Sequence, residues 1–143
     1  MSELDMTVPE REAFLADLHV GLLSISRSGK GPLALPIWYQ YEDGDVIIGM
    51  ATESLKAKLL RREGRATLTV QDENPPYRYV MVEGPVSVGH EERDPLSMPT
   101  RYLGEKLGKW YAEHNAGSDP ADSVVVRLTP ERWYTCDYGK MTG

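Results

Sequence analysis

Residues 46–70 read VIIGMATESLKAKLLRREGRATLTV, an apolar run followed by a basic segment and a second apolar run. Residues 46–51 predict a buried β-strand, and residues 65–72 predict another. Between them, TESLKAKLLRREG predicts a short helix that is closed by Gly64, because glycine readily adopts the left-handed conformation that ends a helix. These 25 residues therefore predict a strand–helix–strand unit.

Further short strands are predicted on both sides of this unit. Thr7 and Glu10 have the spacing of a capping box, which predicts a helix from Thr7 to about Leu18. Asp43-Gly44 predicts a hairpin turn. Other strands are predicted at 19–26, 33–41, 77–88, 123–128 and 132–137, and a second long helix at 101–115. Many short strands with few helices predict an antiparallel barrel or sandwich. We expect one domain over residues 1–143, with residues 1–6 as a loose tail.

Composition narrows the range of partners. The chain of 143 residues has a formal net charge of -6, which argues against nucleic acid as the main partner. No apolar run approaches the roughly 20 residues needed to cross a bilayer, so no membrane partner is expected. Cys136 is the only cysteine, so no internal disulfide can form, as expected for a protein of the reducing cytoplasm.

Five basic residues nevertheless crowd into one short segment, namely Lys56, Lys58, Arg61, Arg62 and Arg65. On a helical wheel Lys56 falls within the stripe of leucines, whereas Lys58, Arg61 and Arg62 fall outside it. A lysine directed inward needs a partner, because an unpaired buried charge is costly.

The first turn of this helix offers free backbone N–H groups, to which Thr52 and Ser54 add hydroxyl groups. A phosphate or carboxylate site is therefore one interpretation of Lys56. The alternative is that Lys56 extends along its neighbours to solvent or pairs with Glu53 or Glu83.

Other chemistry is poorly supported by the sequence. His19, His90 and His114 do not have the spacing of metal ligands, and Cys136 has no basic neighbour that would activate a thiol. Tyrosine and tryptophan are more suggestive, because their polar tips suit partly wet clefts and interfaces. Trp38 and Tyr77, which lie close after prolines, fit either a ligand cleft or an ordinary strand.

Taken together, four blocks of the chain resemble a known family. They are GLLSIS, LALPIWYQYEDGDVIIGM, TESLKAKLLRREGRATLTV and PPYRYVMVEGPVSV, in that order. Over roughly residues 10–136 the chain resembles the split β-barrel flavin and deazaflavin oxidoreductases related to pyridoxamine 5'-phosphate oxidase. The resemblance implies a mainly β fold, a six-stranded antiparallel split β-barrel with a few flanking helices. It also implies a homodimer with a cofactor groove at the interface.

The resemblance further implies a set of cofactor-binding residues. One strand should run beside the cofactor ring: Leu35, Pro36, Ile37 and Trp38. A second group should follow the ring edge and the cofactor tail: Met50, Ala51, Thr52 and Ser54. Lys56 matches the phosphate-binding lysine of the family, and Lys58 and Arg61 would hold a longer anionic tail. Tyr77 and Tyr79 should come from the second subunit, and Trp133 should close the pocket.

Two departures from the vitamin oxidase members favour the deazaflavin coenzyme F420 over FMN. Leu55 stands where those members carry an arginine, and LPIWYQ lacks their basic residues, whereas LLRREGRATLTV is closer to the actinobacterial F420 branch. The phosphate and polyglutamate tail of F420 would suit the extended basic surface.

The implied activity is hydride transfer from reduced F420 to a small conjugated or unsaturated acceptor. Alternatives are an FMN-dependent oxidoreductase, a carrier of a flavin-like or haem-like cofactor, and a dimeric scaffold without cofactor. No catalytic residue or metal is predicted, and Tyr39, Tyr79 or water are the options for a proton donor. Loops 90–100 and 115–122 are expected to shape the substrate side.

Overall fold

The structure is a computed structural model that describes residues 2–115 and 119–141. Within these ranges it has three α-helices, which are α1 (Val8–Ala16), α2 (Leu55–Glu63) and α3 (Ser97–His114). It also has eight strands: β1 (Gly21–Arg27), β2 (Lys30–Ile37), β3 (Gln40–Glu42), β4 (Asp45–Ala51), β5 (Arg65–Asp72), β6 (Arg78–Gly89), β7 (Ser123–Leu128) and β8 (Arg132–Asp137).

The strands form one antiparallel path in the order β2-β1-β5-β6-β7-β4-β3, and β8 also pairs with β6. The long strand β6 changes partner along its length. Its first part pairs with β5 and β8, and from Val86 onward it pairs with β7. The change follows Gly84, where an added Cβ would lie 1.9 Å from the Thr129 carbonyl oxygen, so only glycine fits. The break predicted in this strand therefore marks the passage between two sheets, one formed by β1, β2, β5, β8 and the first part of β6, and the other by β3, β4, β7 and the end of β6.

The mainly β antiparallel fold is confirmed, but the expected count of six strands is wrong, because the described residues contain eight. The strand predicted over 33–41 is divided at Trp38 and Tyr39. The Tyr39 side chain turns into the core, where its hydroxyl donates to the Leu15 carbonyl oxygen at 2.6 Å. The two end strands of the described path, β2 and β3, do not pair with each other, so the sheet is not closed into a barrel.

The helices begin largely as predicted and differ at other points. The capping box of Thr7 and Glu10 is confirmed, but α1 ends at Ala16, and Leu18 lies outside it with 55% exposure. Helix α3 begins at Ser97, four residues earlier than predicted, and is kinked at Gly104 (φ 81°). None of the described helices is long and apolar enough to cross a membrane.

The N-terminal segment, predicted as a loose tail, makes hydrogen bonds to the end of the sheet. Over its described part, residues 2–6, it lies beside β8. The Met6 N–H donates to Thr135 Oγ1 at 2.9 Å, and the Leu4 carbonyl oxygen accepts from Asp137 N–H at 2.8 Å. These backbone contacts anchor the segment, and the hydrophobic side chain of Met6 packs against the core.

The core lies between the two sheets and is sealed by α1 and α2. Alternate residues of the strands point inward, as the period of two in a β-strand requires. On β4 and β7 the core side chains are Val46, Ile48, Met50, Val124, Val126 and Leu128. The intervening residues of β4 and β7 face the other way, and this second face carries the candidate site.

Candidate functional site

A cavity of about 470 Å³ lies on the second face of β4 and β7. This volume is within the range of about 300–1,000 Å³ that is usual for small-molecule sites. Its floor includes Ile47, Gly49 and Ala51 of β4, with Val125 and Ser123 of β7 paired to the last two. The end of β2, the start of α2, the segment 91–99 and the end of α3 form its sides.

Gly49 makes room in this floor. A Cβ added at Gly49 would have no heavy atom within 4 Å, so the space above it is open. Ile47 lies on one side of Gly49 along the floor and the small Ala51 lies on the other, toward the start of α2. The floor is therefore lowest at Gly49 and stays low as far as Ala51.

One side of the cavity is aromatic. The Trp38 indole stacks on Tyr102 with ring centroids 5.2 Å apart, and Tyr111 lies against it at 4.9 Å. The Tyr102 hydroxyl donates to the His19 carbonyl oxygen at 2.6 Å and accepts from the Tyr39 N–H at 3.1 Å. Tyr102 thus fixes both the start of α3 and the Trp38 ring that lines the cavity.

At the α2 end the cavity is positive. Ser54 caps the helix by accepting from the Ala57 N–H, which leaves the N–H groups of Leu55 and Lys56 without an acceptor among the described residues. The half-buried Lys56 lines the cavity and forms no hydrogen bond or ion pair with any described residue. We call Ser54, Lys56 and these two N–H groups the cationic end. An anion here would meet a free ammonium group and the positive end of a helix dipole.

At the opposite end Glu91 and Arg93 line the cavity. They are paired with Glu42, Asp45 and Arg127, which do not line it, and we call these five residues the ion-pair wall. Arg93 contacts Glu42 at 2.8 Å and Glu91 at 3.2 Å. Arg127 contacts both Glu91 and Asp45. The hydrogen bond from Arg127 lowers the pKa of the Glu91 carboxyl, and Glu91 in turn raises the pKa of Arg127. Each of these two groups therefore stabilises the charged form of the other.

The sheet register gives the separation of the two ends. Ala51 pairs with Ser123 beside the cationic end, and Ile47 pairs with Arg127 of the ion-pair wall. Four residues of extended strand correspond to about 13 Å. A ligand that spans this floor can therefore place an anionic group at Lys56 and a neutral body toward the ion-pair wall.

Half of the sequence-predicted site residues line this cavity. They are Pro36, Ile37, Trp38, Met50, Ala51, Ser54 and Lys56. The other seven do not line it, namely Leu35, Thr52, Lys58, Arg61, Tyr77, Tyr79 and Trp133. The roles assigned to all fourteen residues stay predictions.

The residues outside the cavity have identifiable surroundings. Arg61 donates to the Thr52 carbonyl oxygen at 2.9 Å, and Lys58 lies 3.9 Å from Glu53. The Thr52 hydroxyl oxygen is buried without a hydrogen-bond partner. Trp133 lies below the Arg11 guanidinium, 4.3 Å from the ring centroid. None of these residues borders the cavity within a single chain, as far as the described residues show.

Two suggested proton donors are also outside it. Tyr39 is fully buried and bonded to Leu15, and burial raises the pKa of its hydroxyl. Tyr79 is 41% exposed on the outer face of the sheet. None of His19, His90 and His114 lines this cavity. Among the described residues, no three His, Cys, Asp or Glu side chains are grouped to hold a metal ion.

Gly49 and Tyr111 were not identified from the sequence as site residues, and Glu91 and Arg93 were included only as part of a loop. The strand pattern around Gly49 is apolar on both faces and does not say which face is open. The loops 90–100 and 115–122 were expected to shape the substrate side, and residues 91, 93–95, 97–99, 115 and 120 line the cavity. Residues 116–118 of the second loop lie outside the described residues.

The site fits a phosphate-bearing flavin-type cofactor on three observations. Among the described residues, Lys56 has no partner and two N–H groups at the start of α2 have no acceptor, and the floor at Gly49 is open. In the bound state Lys56 and Ser54 would hold the phosphate, and the floor at Gly49 and Ala51 would hold the ring.

Comparisons with solved structures find the same fold. A conserved hypothetical protein from Mycobacterium tuberculosis is 23% identical over 100% of this chain and 95% of its own, with a TM-score of 0.79. An F420 reductase is 23% identical over 86% of this chain and 94% of its own, with a TM-score of 0.69. An FAD-binding protein from Mesorhizobium loti is 19% identical over 91% of this chain and 94% of its own, with a TM-score of 0.67.

A comparison with curated proteins finds no match. A family profile described as pyridoxamine 5'-phosphate oxidase matches residues 7–137, which is most of the chain. The antiparallel sheet, the long shared strand β6 and the capped helix α2 all lie within this range. The chain belongs to the pyridoxamine 5'-phosphate oxidase family of split-barrel proteins.

Proposed function

We propose that this protein is an F420-dependent oxidoreductase that transfers a hydride from the reduced coenzyme to a small conjugated or unsaturated acceptor. The observation that carries the proposal is Lys56 at the start of α2, which lines the open cavity and has no partner among the described residues. Membership of an oxidoreductase-like family and the shared fold of an F420 reductase support it. FMN is the alternative coenzyme.

The basic outer face of α2 favours F420 over FMN. Lys58, Arg61 and Arg62 are exposed and follow Lys56 along the helix. A coenzyme with a polyglutamate tail would place several carboxylates on this face, whereas FMN ends at its phosphate. Charge-assisted hydrogen bonds to such carboxylates are stronger than those between neutral groups.

In this proposal the coenzyme supplies the hydride, and the chain supplies binding and orientation. Lys56, Ser54 and the free N–H groups bind the phosphate. Trp38, held between Tyr102 and Tyr111, restricts the ring from one side. Gly49 leaves the depth that the ring requires.

A titration of the purified protein with F420 and, in parallel, with FMN tests the proposal. Coenzyme fluorescence reports binding. We expect F420 to bind more tightly than FMN, and Lys56→Gln to weaken F420 binding at least about tenfold, as expected for loss of a charged contact. Lys58→Gln removes the same charge outside the cavity and is the matched control. We expect it to weaken F420 binding less than Lys56→Gln does, and this smaller loss measures the contact with the polyglutamate tail. Tighter FMN binding would assign the protein to FMN, and binding of neither would refute the enzyme proposal.

We also propose a homodimer formed through the outer face of the sheet. A cross-strand row of Pro36, Leu22, Thr69, Met81 and Tyr134 runs across β2, β1, β5, β6 and β8. Leu22 is 41% exposed and Tyr134 is 55% exposed. Large apolar side chains that are exposed together on one face often mark an interaction surface. A second copy would cover it and would bring Tyr77 and Tyr79 toward a neighbouring cavity.

The oligomeric state in solution tests the dimer. We expect a dimer by light scattering, and a monomer after Leu22→Arg. Leu107→Arg is the control, because Leu107 is 57% exposed on α3, away from this row. A monomeric wild-type protein would contradict the proposal.

A cytoplasmic location is part of the proposed function, since the single Cys136 has no disulfide partner in the chain.

A further inference from the structure

The two ends of the cavity differ in how their charges are compensated. Lys56 at the cationic end has no partner among the described residues. Arg93 at the other end is held by carboxylates of Glu42 and Glu91, and its guanidinium also donates to Gln40. The positive charge of Arg93 is therefore already neutralised by groups on the protein, and an anionic ligand gains little from it.

The region around the ion-pair wall also carries surplus negative charge. Glu42, Asp45 and Glu91 contribute three carboxylates against the two guanidinium groups of Arg93 and Arg127. Asp94 is exposed, lines the cavity and adds a fourth carboxylate. The only hydrogen bond to the Asp94 carboxylate that is described comes from the Leu96 N–H. The formal charge at this end is therefore -2 before any ligand binds.

Between the two ends the lining is largely apolar. Ile47 and Val125 lie on the floor, and Met98 and Pro95 lie above it. An apolar cavity weakens solvent screening, so a charge on the ligand interacts more strongly with the wall than it would in bulk water. An anionic group here would lose its hydration and meet like charges.

We propose that the cavity accepts an uncharged or cationic hydride acceptor at the ion-pair wall and discriminates against anionic acceptors. The inference rests on the proposed function, because it names the class of the second ligand of the same cavity. Asp94 is the main specificity-determining residue, because it lines the cavity and contacts no described guanidinium. Glu42 pairs with Arg93 and does not line the cavity, so it acts at longer range through the net charge of the wall.

A matched pair of probes tests this inference. 4-Nitrobenzenesulfonamide and 4-nitrobenzenesulfonate have the same ring and nearly the same size, and only the second is charged at neutral pH. Binding is measured by equilibrium dialysis with Lys56→Gln, which removes the cationic end as a competing anion site. We expect the sulfonamide to bind about tenfold more tightly, and the ratio to grow at low salt.

Charge-neutralising variants identify the cause. Asp94→Asn and Glu42→Gln, each made in the Lys56→Gln protein, keep side-chain size and remove one negative charge. We expect each variant to lower the ratio of sulfonamide affinity to sulfonate affinity by about twofold to threefold, as for partly screened charges. Glu73→Gln is the control, because Glu73 is an exposed carboxylate in the loop between β5 and β6, away from the cavity.

A kinetic measurement then uses the wild-type protein with its bound reduced coenzyme. The nitro group receives two electrons as the hydride, takes up one further proton from solvent, and loses one oxygen as water to give the nitroso product. We expect the neutral probe to have the higher kcat/KM, with the preference reduced in Asp94→Asn.

The outcomes separate the two proposals. Equal binding of the two probes to Lys56→Gln, no binding of either, or a ratio unchanged by both Asp94→Asn and Glu42→Gln would overturn the charge inference. Failure to bind F420 or FMN would overturn the proposed function, while the dialysis experiment would still decide whether the ion-pair wall rejects anions.

Discussion

Trp38 and Tyr102 stack almost face to face, with ring centroids 5.2 Å apart and planes inclined by 8°. Tyr102 belongs to the first half of α3, and Trp38 belongs to the connection between β2 and β3. The stack therefore joins the helix that covers the cavity to the strand that borders it. The Tyr102 hydroxyl is itself hydrogen bonded to the backbone of His19 and Tyr39. The position of the Trp38 ring therefore depends on the hydrogen bonds that hold its stacking partner.

Replacement of Tyr102 by phenylalanine should separate the contribution of the ring stack from that of the hydroxyl hydrogen bonds. Tyr102→Phe keeps the ring and loses the hydroxyl, which leaves the Tyr39 N–H without its acceptor. We expect the free energy of unfolding to fall by about 1–3 kcal/mol, measured by urea denaturation. Tyr111→Phe is the control, since the Tyr111 hydroxyl has no hydrogen bond with the described residues. Equal stability of the two variants would show that the Tyr102 hydroxyl contributes nothing.

Gly49→Val should fill the cavity without disturbing the fold. The added side chain meets no heavy atom within 4 Å of its Cβ, and valine favours a strand. We expect coenzyme affinity to fall at least about tenfold, a change worth roughly 1.4 kcal/mol, while the melting temperature stays level or rises. Gly31→Val is the control, because Gly31 is also an open strand glycine and does not line the cavity. Unchanged affinity would place the coenzyme elsewhere.

Gly108 should be sensitive to a single methyl group. A Cβ at this position would lie 2.8 Å from the Thr100 nitrogen, because the second half of α3 folds closely onto the first. Alanine normally favours a helix by about 1 kcal/mol over glycine. We instead expect Gly108→Ala to destabilise the protein by about 1–3 kcal/mol through overpacking, measured by thermal denaturation. Gly89→Ala, at an open strand position, is the control, and a stabilised Gly108→Ala protein would refute the close contact.

The pairing of Glu10 with Lys140 predicts a pH dependence. The hydrogen bond from Lys140, followed by that from the Thr7 backbone, lowers the pKa of Glu10 from its usual 4.5 to about 2. Because the folded state lowers this pKa, its contribution to stability is present above about pH 5 and is lost as the pH falls toward 2. We expect the melting temperature of Glu10→Gln to be lower than that of wild type at pH 6 and to converge with it near pH 2.

This comparison has a direct control. Glu3→Gln removes an exposed glutamate from the same N-terminal segment and should lower the melting temperature less at pH 6. Added salt should reduce the difference between wild type and Glu10→Gln, since the pair is open to solvent. A constant difference between the two proteins from pH 6 to pH 2 would contradict the assignment.

Local signals in the sequence predicted the start of α1, the end of α2 and several strands well. The Thr7–Glu10 capping box and the closing Gly64 require only neighbouring residues, and both are present in the structure. The strands at 123–128 and 132–137 match β7 and β8, because a clear turn separates them. The leucine spacing directed Lys56 inward, and Lys56 is half-buried and lines the cavity, although Leu55 of the same stripe is exposed.

Features that depend on distant residues were harder to predict. The start of α3 was placed too late, because Pro95 and Pro99 read as loop residues, although Pro99 is tolerated in the first turn of the helix. The division of the predicted strand at Trp38 and Tyr39 results from contacts with Leu15 and Tyr102, far away in sequence. The ion-pair wall joins residues from four separate segments of the chain, and no local sequence pattern predicts such a grouping.

The alternation of β4 limits how this site can change in evolution. Val46, Ile48 and Met50 seal the core, while Ile47, Gly49 and Ala51 form the cavity floor. Insertion or deletion of one residue within β4 would exchange these two sets and would lose the core and the ligand site together. Point substitutions at 47, 49 and 51 can reshape the ligand space one side chain at a time. We therefore expect variation in chain length to fall in the connections, above all in the segment after β6, and lineages to diverge in ligand preference there while the floor keeps its length.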